Sequence, residues 1–125
     1  MQTTITAKDA PAAIGPYSHG VLSNNLLFTS GQIPLVPETG KLVGDTIEAQ
    51  TVQVFANLRA VLAAAHMDFS NVIKTTCFIT DLGNFAKVNA VYTEIFPVNP
   101  PARSCVQVAA LPGGALLEIE AIAAR

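Results

Sequence analysis

The 125-residue chain is half apolar and only 13% charged, with a formal net charge of −2. This is the length of one ordinary domain able to bury a core, so a single domain over residues 1–125 is expected. Its seven Lys and Arg are scattered from Lys8 to Arg125 without a basic patch, which argues against a nucleic-acid partner, because holding a polyanion takes clustered cations.

No apolar run approaches the roughly 18 residues that cross a bilayer, so no membrane partner is expected. The apolar surplus must then be buried some other way, and a symmetric homo-oligomer with a large interface is the simplest. Met1 to Thr6 lacks the charged segment and apolar run of a secretory leader, which points to the cytoplasm.

In chain order, Ile14 to Ser18 reads as a turn-rich entry. A hairpin pattern follows, with His19 to Ser23 and Leu26 to Ile33 flanking the turn formers Asn24 and Asn25. Pro34 to Gly40 reads as loop, turning at Thr39-Gly40. Asp45 with Glu48 three residues on matches a capping box, and Ile47, Val54, Phe55, Leu58, Val61 and Leu62 share one helical face, which predicts a helix over about residues 45–66. Ile73 to Thr80 is rich in β-branched residues and predicts a strand with Ile73, Thr75, Cys77 and Ile79 on one face. Asp81 is placed to cap a second helix with the stripe Phe85, Val88, Tyr92, Ile95 and Phe96, which Pro97 stops. Arg103 to Ala110 and Leu116 to Ala123 read as strands joined by Leu111-Pro112-Gly113-Gly114-Ala115, a turn that predicts a hairpin. The order predicts an α+β sheet with both helices on one face, the other face left for neighbouring subunits.

Arg103 opens an otherwise uncharged strand behind the rigid Val98-Asn99-Pro100-Pro101-Ala102. Its planar guanidinium suits it to anchor a carboxylate, unless one of the chain's own acids neutralises it. Strand alternation puts Arg103, Cys105 and Gln107 on one face, expected to line an interface or cleft, and in the last strand puts Leu116, Glu118, Glu120 and Ile122 on one face. A carboxylate among aliphatics has its charged form disfavoured unless it is paired, which tunes it toward acid or base work near neutral pH. Pairing with Arg103, Arg125 or a neighbouring subunit is the structural alternative. With the predicted hairpin turning around Gly113, Arg103 lies opposite position 122 or 123 and on the order of 13 to 17 Å from Glu118, so the two would not meet within one chain.

Gly31, between Ser30 and Gln32, marks a close backbone approach or a bulge. Tyr17 presents its hydroxyl to a cleft or packs. Cys77 and Cys105 sit in apolar strands and are expected reduced, Cys77 as packing. His19 and His66 have no partners at metal-ligand spacing, so no metal site is expected, and no cofactor motif is present.

Four dispersed stretches carry a resemblance. They are Ala12-Ala13-Ile14-Gly15-Pro16-Tyr17-Ser18, Phe28-Thr29-Ser30-Gly31-Gln32-Ile33-Pro34, Pro101-Ala102-Arg103-Ser104-Cys105-Val106 and Glu118-Ile119-Glu120-Ala121. Together with Val72-Ile73-Lys74-Thr75-Thr76 and Val88-Asn89-Ala90-Val91-Tyr92, the chain resembles the reactive intermediate deaminase (Rid, or YjgF) family nearly end to end. The resemblance implies a chorismate-mutase-like α+β fold, a homotrimer with active sites between subunits, and no cofactor. The implied reaction is hydrolysis of small 2-imino acids, 2-iminopropanoate and 2-iminobutanoate, to 2-keto acids and ammonia. It implies that Arg103 binds the substrate carboxylate and Glu118 activates water. Tyr17, Ser30, Gly31 and the main chain of Cys105 would line the cleft, with Asn89 contributing across the interface. A small-acid-binding regulator, a chaperone, and an endoribonuclease or translation inhibitor are the competing readings.

Overall fold

In a computed structural model, which describes residues 2–125, the chain forms one six-stranded mixed sheet with both helices packed against it. The strands are β1 (Gln2–Ile5), β2 (Gly20–Ser23), β3 (Leu26–Thr29), β6 (Val72–Ile79), β7 (Ala102–Gln107) and β8 (Leu117–Ala124), in the order β1-β2-β3-β8-β6-β7. Helix α1 runs over Ile47–Ala64 and α2 over Phe85–Ile95. Between β3 and α1, the short strands β4 (Leu35–Val36) and β5 (Lys41–Leu42) form a small ribbon of their own. Met1, part of the amino-terminal stretch read above, lies outside the described residues.

Apolar periodicity explains most of this. Ile47, Val54, Phe55, Leu58, Val61 and Leu62 of α1 are buried, as their spacing predicts. They meet Leu117, Ile119, Ala121 and Ala123 of β8 and Cys77 and Ile79 of β6, every second residue along each strand. Phe55 sits at the centre, edge-on to Tyr92 and Phe96 of the second helical region with ring centroids 5.1 and 5.9 Å apart. Burying such a side chain stabilises the fold by about 1.5–3 kcal/mol.

Several local expectations need correction. The cap of α1 is Thr46, whose Oγ1 accepts the Ala49 N–H, not Asp45; the helix begins one residue later than the capping-box pattern suggests. Asp81 caps the single 3-10 turn Leu82–Asn84 that leads into α2, not α2 itself. Ile73 does not join Thr75, Cys77 and Ile79, because the pairing of β6 with β8 slips between Val72 and Lys74 and turns Ile73 outward, where it is 50% exposed. Phe85, at the start of the α2 stripe, is largely exposed, while Val88, Tyr92 and Phe96 are buried. Strand β1 and the β4–β5 ribbon are too short to show periodicity, and Leu35–Val36 falls within the stretch expected as loop.

The largest correction concerns the last two strands, which form no hairpin. Strand β7 pairs only with β6, in parallel, after the α2 crossover, and β8 inserts antiparallel between β3 and β6. Parallel strands require such a helical crossover. Pairing on both edges then satisfies the backbone of β6, which a β7–β8 hairpin would have left open on one side. The Leu111–Ala115 turn is real, with Gly113 and Gly114 at φ 67° and 75°, but it carries the chain past β6 rather than folding it back on itself.

Candidate functional site

The sheet sends the sequence-derived site residues to two opposite faces. Thr75 of β6 is the register partner of both Arg103 and Ala121 and is buried toward the helices, its hydroxyl 2.9 Å from that of Tyr92. Residues in register on neighbouring strands share a face, so Arg103 also points to the helix side. Its contacts agree: Nη1 donates to Asn89 Oδ1 at 2.6 Å, and the guanidinium carbon lies 5.0 Å from the Phe85 ring and 4.7 Å from the Tyr92 ring. Glu118 alternates with the buried Leu117 and Ile119 and is in register with Phe78, which puts it on the face without helices. Arg103 and Glu118 therefore cannot meet within one chain. The reason is the opposite faces, not the hairpin offset expected from sequence.

Each face has an open cavity. Arg103, Asn89, Tyr92, Phe96 and Pro101 border one of about 580 Å³. Glu118, Tyr17, Ser30, Gly31, Ile14 and Ile33 border another of about 430 Å³. Tyr17, Ser30, Gly31 and Glu118 are thus brought together, and Arg103 and Asn89 are brought together elsewhere. Asn89 holds the Arg103 of its own chain directly. Cys105 borders neither cavity; with Arg103 and Gln107 its side chain faces the helices, and its thiol packs against the core.

Glycine at position 31 has a steric cause. Gln32 exchanges two backbone hydrogen bonds with Ile119, which presses the segment onto β8, and a Cβ at residue 31 would lie 2.7 Å from the carboxyl carbon of Glu118. The close approach expected there is to a side chain. Ser30 is fixed by its hydroxyl to the Ser18 carbonyl at 2.6 Å and by its N–H to the His19 carbonyl at 2.9 Å. Tyr17 closes a turn in which its hydroxyl accepts the Ile14 N–H at 3.2 Å, leaving the ring at the cavity mouth.

Two buried polar residues of α1 that sequence reading passed over tie the helix to the segments around the sheet. Gln50 donates to the Gly44 carbonyl and accepts the Leu116 N–H, fixing the entry to β8. Asn57 donates to the carbonyls of Ile33 and Leu35. A buried amide must find such partners or cost stability, so an amide inside an apolar helical face was the available signal.

Charge is left uncompensated on both faces. The single salt bridge among the described residues joins Lys87 and Glu48, neither of which lines a cavity described above. Arg125, one partner considered for the β8 carboxylates, donates instead to the Ala65 carbonyl. Burial raises the pKa of the Glu118 carboxyl above its ordinary value, and the neighbouring Glu120 charge raises it further. Burial also pushes the Cys77 thiol up to about 12, which makes it inert packing. His19 is occupied structurally, Nδ1 accepting the Ala7 N–H and Nε2 donating to the Pro11 carbonyl. No metal-ligating cluster occurs among the described residues, and none of their helices is long and apolar enough to cross a membrane.

The α+β fold thus carries, among the described residues, a guanidinium without an ion-pair partner on one face of its sheet and, on the other, a carboxyl whose pKa is raised. The family model described as Endoribonuclease L-PSP matches residues 7–125, and the chain belongs to this family, the YjgF or Rid family that its motifs resemble. The 2-iminobutanoate/2-iminopropanoate deaminase of Escherichia coli K12 is 48% identical over 128 residues, covering 100% of this chain and 99% of the relative. A Lactococcus lactis protein carrying the name of a regulator, AldR, is 55% identical over 119 residues, covering 95% of this chain and 94% of its own. Among solved structures, E. coli TdcF with bound serine superposes with a TM-score of 0.94 at 46% identity, covering 98% of each chain.

Proposed function

We propose that the chain is a cytoplasmic, homotrimeric deaminase that hydrolyses 2-iminopropanoate and 2-iminobutanoate to the corresponding 2-keto acids and ammonia. The observation that carries this reading is the division of charge: Arg103 and Glu118 lie on opposite faces of one sheet, each without an ion-pair partner among the described residues. A second copy that lays its helix-free sheet face near the Arg103 cavity brings Glu118 to it. That face also exposes Leu26, Phe28, Ile73 and Val106, apolar surface that association would cover. The deaminase name of a relative matching the whole chain and the amino acid bound to TdcF support a small carboxylate ligand.

In the assembled site, Arg103 holds the substrate carboxylate by paired N–H donors and fixes the imine carbon. Glu118 takes a proton from a water molecule as its oxygen adds to that carbon. Addition to the iminium form gives a neutral aminoalcohol, which takes that proton back from Glu118 on nitrogen; as the C–N bond breaks and ammonia leaves, the hydroxyl proton passes to the Glu118 carboxylate and the carbonyl forms. Its raised pKa makes the Glu118 carboxylate a stronger base than an ordinary carboxylate. Tyr17, Ser30 and Gly31 wall this end of the site, and Cys105 takes part through its main chain.

The test is ammonia release from imine generated in place by a threonine dehydratase. Wild-type protein accelerates it and Arg103→Ala does not; equal rates for the two proteins would end the assignment. The regulator name of the Lactococcus relative favours a binding-only reading, which needs Arg103 but not Glu118. Glu118→Gln with undiminished turnover would select it. An RNA-cleaving role has little support, since the cations are scattered and both ring nitrogens of His19 are engaged with backbone.

A further inference from the structure

Phe85, Asn89 and Tyr92 stand at positions i, i+4 and i+7 of α2, so they share one stripe of the helix. All three touch the same group: the rings lie 5.0 and 4.7 Å from the guanidinium carbon of Arg103, and the Asn89 amide oxygen accepts from Nη1 at 2.6 Å. Both rings are within cation–π range. Tyr92 is itself immobilised, buried edge-on against Phe55 with its hydroxyl bonded to Thr75. The guanidinium is thus fixed in place and orientation by groups that carry no charge.

We propose that this aromatic–amide–aromatic stripe is a positioning device that orients Arg103 without neutralising it, and that an uncharged acceptor at residue 89 is what keeps the guanidinium available to an anion. A carboxylate at position 89 would make the same hydrogen bond but would form an ion pair with Arg103 and compete with any incoming carboxylate. An aliphatic residue at position 85 would fill space while removing the attractive ring face. Asn89 therefore acts on substrate through Arg103. The idea rests on the reading of Arg103 as the carboxylate anchor proposed above, and the test separates the two.

The experiment is titration of the full-length protein with 2-oxobutanoate, followed by NMR shift changes, with steady-state imine hydrolysis and melting temperatures measured alongside. Arg103→Ala should abolish binding. Asn89→Asp should weaken it at least tenfold and more than Asn89→Ala does, Phe85→Leu should weaken it about two- to fivefold, and Phe85→Tyr should restore it. In kinetics the losses should fall on KM, with kcat nearly unchanged, and melting temperatures should not follow the affinities. If Asn89→Asp binds as tightly as wild type while Arg103→Ala does not, the positioning inference is wrong and the anchor stands. If Arg103→Ala binds normally, the anchor reading itself fails.

Discussion

The two cavities of this chain are built in opposite ways. On the helix side, Arg103 is oriented by uncharged neighbours, two aromatic rings and an amide, and keeps its positive charge. On the helix-free face, Glu118 is confined under Gly31, and its negative charge is disfavoured first by burial and then by the like charge of Glu120. A permanent cation suits ground-state binding, and a carboxyl poised to exchange a proton suits chemistry. On the proposed function, the difference assigns recognition to one side and reaction to the other.

The sharpest way to break this division is to remove each charge. Glu118→Gln should lower kcat on the order of 100-fold or more while leaving 2-oxobutanoate binding largely intact, the range expected for losing a general base. Arg103→Ala should lower kcat/KM comparably through lost binding, read by steady-state kinetics. Next in size is Gly31→Ala. Its methyl displaces the end of a flexible side chain rather than backbone, so hydrogen-bonding around β8 and the melting temperature should change little while turnover falls about tenfold or more. Loss of folding instead would mean that the segment, not Glu118, yields.

A smaller effect sharpens the proton chemistry. The acid limb of the pH–rate profile should reflect Glu118 and stand above the ordinary carboxylate value of 4.5. Glu120→Gln removes the second cause of the shift and should move that limb to lower pH, with burial keeping part of the displacement. The smallest effect is on stability. The folded-state pKa of Glu118 is raised, so its ionisation opposes folding above that pKa and costs nothing below the unfolded value. Glu118→Gln should thus raise the melting temperature slightly at pH 7, with the gain vanishing below about pH 4.5, as calorimetry would show.

Much of this was legible in the sequence because it is periodic. The face of α1, the alternation of β8 and the isolation of Arg103 are local patterns, and each reports burial directly. Strand partners are not local. Leu111 to Ala115 carries every mark of a hairpin turn, yet β6 takes the place beside β7, because pairing depends on which edge remains open after the α2 crossover. The error mattered for the site: in register with Thr75, Arg103 turns toward α2, and only then does the stripe of Phe85, Asn89 and Tyr92 acquire a purpose beyond packing. Gln50 and Asn57 escaped notice for a similar reason, since their partners lie 66 and 24 residues away.

Subunit complementation tests the central claim most directly. Arg103→Ala and Glu118→Gln proteins, each inactive, are mixed in equal amounts, unfolded together and refolded, and ammonia release is measured. A site drawing Arg103 from one copy and Glu118 from its neighbour predicts recovery of roughly a quarter of wild-type activity, the share of sites in a randomly mixed ring that receive both intact residues. A mixture no more active than its parents would contradict the account.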